Sequence, residues 1–156
     1  MPNVPFMILW GCYYASLGLW IGMIAMLATG ARVAFTVLPE KTLAGDLVGA
    51  WLAKYYPMGA ACAAVAAIGS WLRSSHYELS LWQGPWTPQK TIAAARYALL
   101  ALMILNHLYA GWRLDPEVKR LKALPEARER FAALHRREVL LLGINLLCGL
   151  AVIFLS

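Results

Sequence analysis

Residues 6–38 read FMILWGCYYASLGLWIGMIAMLATGARVAFTVL, an apolar run whose single charge is Arg32. A helix that crosses a bilayer needs about 20 mostly apolar residues, and this run exceeds that length. It is also far longer than the ~7–15-residue core of a cleavable signal peptide. No Lys or Arg precedes it, so it is expected to stay as a spanning helix. Comparable stretches follow at 55–72, 91–112 and 139–155. The expected fold is therefore all-α: a polytopic integral membrane protein, a single domain over 1–156 built as a bundle of four transmembrane helices.

Composition excludes the other classes. The 156 residues are 61% hydrophobic and 14% charged, with a mean hydropathy of +0.58. Soluble domains carry about 45–50% apolar and ~25% charged residues. Disordered chains are poor in the apolar and aromatic residues that abound here. The three cysteines, Cys12, Cys62 and Cys148, all sit inside apolar runs, which argues against a disulfide framework.

Charge sets the expected orientation. The connections after the first and third spans carry eleven of the fourteen basic residues, from Arg32, Lys41 and Lys54 to the cluster between Arg113 and Arg137. Positive residues stay cytoplasmic, so both termini are expected on the non-cytoplasmic side of a plasma (bacterial inner) membrane. A basic face confined to one side suits an anionic lipid leaflet, and no nucleic-acid partner is expected. Trp10, Tyr13, Tyr14, Trp51, Tyr55, Tyr56, Trp71, Tyr109 and Trp112 are read as interfacial belts that mark the span ends.

The connections have their own patterns. Pro39 ends the first helix, because the residue before a proline is pushed out of the helical region. Leu43, Leu47, Ala50, Trp51 and Lys54 recur at helical spacing, which predicts a short interfacial helix over 42–54. Thr87-Pro88 predicts a capped helix start. The outer loop 74–88 exposes Trp82 and Trp86, which either rest in the lipid interface or dock a partner protein. The connection 113–138 is charged and helical, and its last part, opened by Pro125 and Glu126, is expected to run unbroken into the fourth span.

Few residues point to chemistry. Gly18 and Gly22 form a GxxxG pair, and 59–70 is rich in Gly and Ala; both are expected to pack helices closely within the bundle. Glu138 and Asn145 are seven residues apart and share a helix face. Arg32 lies at the depth of Glu138, so the two either pair or, as we favour, snorkel separately to the headgroups. Arg96 also has room to snorkel. Asn106, His107 and His135 gather near the inner side. No metal-ligand cluster, haem pair or nucleophile–base set emerges, so no metal, cofactor or catalytic residue is assigned and no enzyme is expected.

Several short pieces occur together in order: Trp20 to Gly22, Leu38-Pro39 with Ala44-Gly45, Tyr55-Tyr56, Leu114-Asp115-Pro116, and Arg130-Phe131 with Leu134-His135. In these the chain resembles the small four-span membrane proteins related to transmembrane protein 205 and their uncharacterised bacterial relatives. It departs from them at Ala110, Glu138 and Leu142, where the family has asparagine, serine and asparagine. The resemblance implies candidate family positions at Arg32, Pro39, Gly45, Asp115, Pro116, His135, Glu138 and Asn145, and a role in metal or solute tolerance by analogy.

The leading functional expectation is a non-catalytic accessory or scaffolding subunit packed in the lipid bilayer against a larger complex, respiratory, photosynthetic or oxygenase. The alternatives are metal or small-solute handling and a haem- or quinone-linked redox role. The orientation is open to direct test. A cysteine placed in 113–137 should react with an impermeant label only from the cytoplasmic side, and one in 74–88 only from outside. The opposite pattern would overturn the charge reading.

Overall fold

In the computed structural model, the described residues are 4–76, 84–122 and 124–156. They form helices α1 (Val4–Val37), α2 (Lys41–His76), α3 (Pro88–Tyr109), α4 (Asp115–Lys122) and α5 (Arg128–Phe154). A π-helical turn, Ala110–Leu114, joins α3 to α4 without a break, and a 3₁₀ turn, Pro125–Ala127, precedes α5. No strand occurs among the described residues. Trp82 lies outside them.

Most boundaries follow from local chemistry. α1 stops two residues before Pro39. The Thr87 side chain caps α3 by accepting the Lys90 N–H at 3.4 Å, with Pro88 at the first helical position. The fourth expected span is the C-terminal part of α5, which runs unbroken into it as expected but begins at Arg128, after the 3₁₀ turn that occupies the expected start at Pro125 and Glu126.

The interfacial helix is a correction. Residues 42–54 do not form a separate element; they are the first third of the 36-residue α2. One buried line explains the continuity: Ala44, Leu52, Tyr55, Gly59, Cys62, Ala66 and Ser70 follow each other around a single helix face. Pro57 lies inside this helix. It removes one backbone hydrogen bond, yet the buried line on either side holds the two halves in one rod.

α1 packs on α2, α2 on α3, α3 on α5, and α5 back on α1, while α4 lies against α5. Contacts give the directions. Gly30 meets Trp51 and Gly69 meets Tyr13, so α1 and α2 are antiparallel. Gly59 meets His107 and Gly111 meets Tyr56, so α2 runs antiparallel to the α3 segment. The core between the rods includes Leu17, Trp20, Ile24, Met103 and Val152, all fully or almost fully buried.

Among the described residues, three helices are long and apolar enough to cross a membrane: Met7–Val37, Pro88–Lys122 and Arg128–Phe154. The 55–72 stretch of α2 falls outside this set, because Tyr55, Tyr56, Pro57, the glycines, Ser70 and Trp71 lower its mean hydropathy.

The GxxxG pair is a second correction. A Cβ added at Gly11, Gly18 or Gly22 would meet nothing within 4 Å, so these glycines face away from the other helices. Close packing is done by different glycines: a Cβ at Gly149 would come within 2.7 Å of Ile21 Cγ1, and one at Gly30 within 2.7 Å of the Trp51 ring. Gly149→Leu should therefore cost ~1–3 kcal/mol of stability through overpacking. Gly22→Leu should stay within about 0.5 kcal/mol, as at other outward positions. Thermal unfolding of the purified variants in detergent measures both, and equal losses would contradict the assignment of faces.

Candidate functional site: a polar junction of the long helices

The polar junction is built where α2 turns its paired tyrosines inward. Tyr55 is 2% exposed and Tyr56 9%, so neither is the interfacial marker expected from sequence. The Trp20 indole of α1 donates to the Tyr55 hydroxyl at 3.3 Å. The Tyr56 hydroxyl donates to Glu138 Oε1 of α5 at 2.6 Å. The carbonyl of Tyr56 accepts a hydrogen bond from His107 Nε2 of α3 at 2.9 Å. Two consecutive residues of α2 thus reach all three other long helices.

Glycines make the geometry possible. The His107 ring lies in the notch left by Gly59, and a Cβ there would run into it. This is how an imidazole reaches a backbone carbonyl inside a helix. In the same way Gly111, brought round by the π-helical turn, leaves space for the Tyr56 ring, which a Cβ would approach to 2.9 Å. The His107 ring also meets Trp20, Tyr55 and Tyr56, with centroids 5.2–5.5 Å apart. Edge-on aromatic contacts of this kind favour one ring orientation.

Because a carbonyl only accepts, His107 carries its proton on Nε2, and the lone pair sits on Nδ1. Nδ1 is buried without a hydrogen-bond partner, as is Glu138 Oε2. His135 Nδ1 lies 3.6 Å from Oε2. His135 is half-buried and stacks on Phe131 with centroids 5.9 Å apart. It is the half-buried neighbour of a carboxylate only 1% exposed.

Glu138 therefore does not snorkel, which corrects the sequence expectation. Its partner is the phenol of Tyr56, and Arg32 is exposed without contact to it. A short acidic side chain in the middle of a packed seam has less reach to the headgroups than a long basic one. Arg96 does not snorkel either. It is 2% exposed, with its guanidinium 5.1 Å from the Tyr97 ring centroid and Nη2 donating to the Tyr97 hydroxyl at 3.5 Å. Tyr97 in turn donates to the Ser70 carbonyl of α2 at 3.3 Å.

The remaining candidates are dispersed. Asn145 is buried on the face of Glu138 and donates to the Met103 carbonyl at 3.3 Å. Asp115 is buried beside the π-helical turn and accepts from Lys119 at 2.6 Å, while Pro116 is exposed. Pro39 and Gly45 flank the start of α2, where Asp46 pairs with Lys122 at 2.5 Å. Trp86 is exposed, with its indole bound to Thr91 Oγ1 at 2.8 Å. Among the described residues no cluster of three or more His, Cys, Asp and Glu side chains is placed to hold a metal.

Sequence reasoning singled out Glu138, His135 and Asn145 but assigned no site role to Tyr55, Tyr56, His107 or Trp20. The available signal was the placement of Gly59 one turn after Tyr55-Tyr56, on the face those residues share.

A helical chain with three helices fit to cross a membrane, closed around a buried carboxylate, belongs to the class of helical membrane proteins. It belongs to the DUF4149 family, a domain of unknown function whose sequence profile matches residues 15–124. That range contains Trp20, Tyr55, Tyr56 and His107 and stops before Glu138. No curated protein and no solved structure matches the chain.

The Tyr56–Glu138 contact predicts a coupled pair. Tyr56→Phe leaves a buried carboxylate without its donor and should cost ~1–3 kcal/mol. In a Glu138→Leu background the same change should cost much less, since no buried carboxyl group is left without its donor. Denaturant unfolding of the four proteins checks this, and strictly additive losses would show that the two residues do not share a contact.

Proposed function

We propose that this chain is a non-catalytic, four-span integral membrane protein that serves as an accessory or scaffolding subunit of a larger membrane complex. Both termini lie on the non-cytoplasmic side in this reading. The fourth crossing is α2. Since α1 and α3 both run antiparallel to α2, they point the same way, and a chain that crosses twice in one direction must return between them.

The observation that carries the subunit role is the unpartnered line of small residues on α1. Gly11, Ala15, Gly18, Gly22 and Ala25 recur every three or four residues and are all exposed. The flanking Leu19 and Met26 are more than half exposed. In lipid, where no hydrophobic drive joins helices, such a line lets another backbone approach closely. It is a better docking candidate than the outer loop, because Trp86 already spends its indole N–H on Thr91.

A second reading, small-solute handling, draws on the buried carboxylate of Glu138, because ionisable groups inside spans are costly and mark functional pathways. The resemblance to proteins related to transmembrane protein 205 points the same way.

The test is recovery of partners from native membranes in mild detergent, normalised to folded protein. Gly18→Leu with Gly22→Leu should reduce recovery about tenfold or more, equivalent to roughly 1.4 kcal/mol, with the purified chain still folded. Trp86→Ala should leave it unchanged. A chain that purifies alone, or a partner retained by the double variant, would overturn the subunit reading.

A further inference from the structure

Between α2 and the α3 segment lies a cleft of about 220 Å³, walled by Tyr56, Pro57, Ala60, Leu108, Gly111 and Trp112 beside His107. An apolar cavity of ~150 Å³ already admits a benzene ring, so a length of hydrocarbon chain fits here. The walls are mostly carbon, and Ala60 and Gly111 keep them thin. Trp112 is 74% exposed and stands at the rim. The neighbouring Tyr109 is also exposed, so the cleft opens at the level of an aromatic belt.

Outside the lining itself, two cations adjoin lining residues in the sequence at one end of this cleft. Lys54 precedes Pro57 by three residues, so it stands on the adjoining turn of α2. Arg113 directly follows Trp112 in the π-helical turn. Because the two segments are antiparallel, both lie on the same side of the cleft, towards the charged end of the molecule. Both are exposed, and neither has an ion pair among the described residues. The nearby acidic groups are engaged elsewhere: Asp115 with Lys119, Asp46 with Lys122 and Glu117 with Arg130.

We propose that this cleft holds an acyl chain of an anionic phospholipid, with Lys54 and Arg113 meeting its phosphate. Apolar walls and paired cations at one end match the two halves of such a molecule. The inference rests on α2 crossing the membrane and is independent of any partner subunit. The bound lipid would cover the thin wall over His107 and seal the polar junction from the surrounding bilayer.

The test is native mass spectrometry of the full chain in detergent. The probes are phosphatidylglycerol and phosphatidylcholine with identical acyl chains, and glycerol phosphate as a chainless competitor. Phosphatidylglycerol should be retained preferentially. The preference should fall about fivefold for each of Lys54→Gln and Arg113→Gln, the size expected for one cation at an anionic headgroup. These are exposed positions, so the variants keep the fold. Ala60→Phe should weaken both lipids by filling the cleft. A preference that survives the Lys54→Gln, Arg113→Gln pair would place the attraction elsewhere on the basic face and overturn the proposal. Displacement of the lipid by glycerol phosphate would do the same, by showing a site for free phosphate.

Discussion

A carboxylate sealed among apolar helices must find a hydrogen-bond donor inside the protein, because no water is there to supply one. In this chain Glu138 finds it in the hydroxyl of Tyr56, at 2.6 Å. That contact fixes the rotation of α5 against α2. The backbone of the same tyrosine fixes α3 through His107, and the adjacent Tyr55 fixes α1 through Trp20. Apolar packing in a bilayer specifies rotation weakly, since lipid and leucine are alike to a helix face. A few buried polar contacts meeting at two residues supply that specification, while the apolar core fills the volume around them.

The glycines divide by the same logic. Gly30, Gly59, Gly69, Gly111 and Gly149 each lie under a side chain from another helix. They are the places where rings or branched chains approach a backbone. Gly11, Gly18 and Gly22 have nothing above them, so their smallness serves no contact within the chain. A helix of this composition would expose a shallow groove to lipid, which is where the subunit reading takes its support. The basic end is organised differently: three acidic residues pair with Lys119, Lys122 and Arg130, and Lys54 and Arg113 are among the exposed cations that have no ion pair among the described residues.

Much of this architecture was legible in the sequence, for reasons that can be named. Long apolar runs, the stop at Pro39, the Thr87-Pro88 start and the unbroken entry of α5 all depend on local hydropathy or backbone chemistry. The misreadings share another cause. Tyr55 and Tyr56 looked like belt residues, and 42–54 looked like an interfacial helix, because amphipathic spacing does not say whether the apolar face meets lipid or protein. GxxxG is likewise blind to which neighbour it serves. Glu138 was visible as an anomaly, but its partner was not, since the two lie 82 positions apart and the chain between them carries no trace of the pairing. His107 required knowing that Gly59 opens a notch opposite it.

These features make Tyr56 the point on which the arrangement of helices depends. Magic-angle-spinning NMR of the reconstituted chain, with carbon-13 in tyrosine and glutamate, tests this directly. A cross-peak should join the ring carbon bearing the Tyr56 hydroxyl to the Glu138 carboxyl, at about the 4 Å separation that a direct hydrogen bond imposes. It should vanish in Glu138→Ala. A resolved Glu138 carboxyl signal with no contact to Tyr56 would contradict the account.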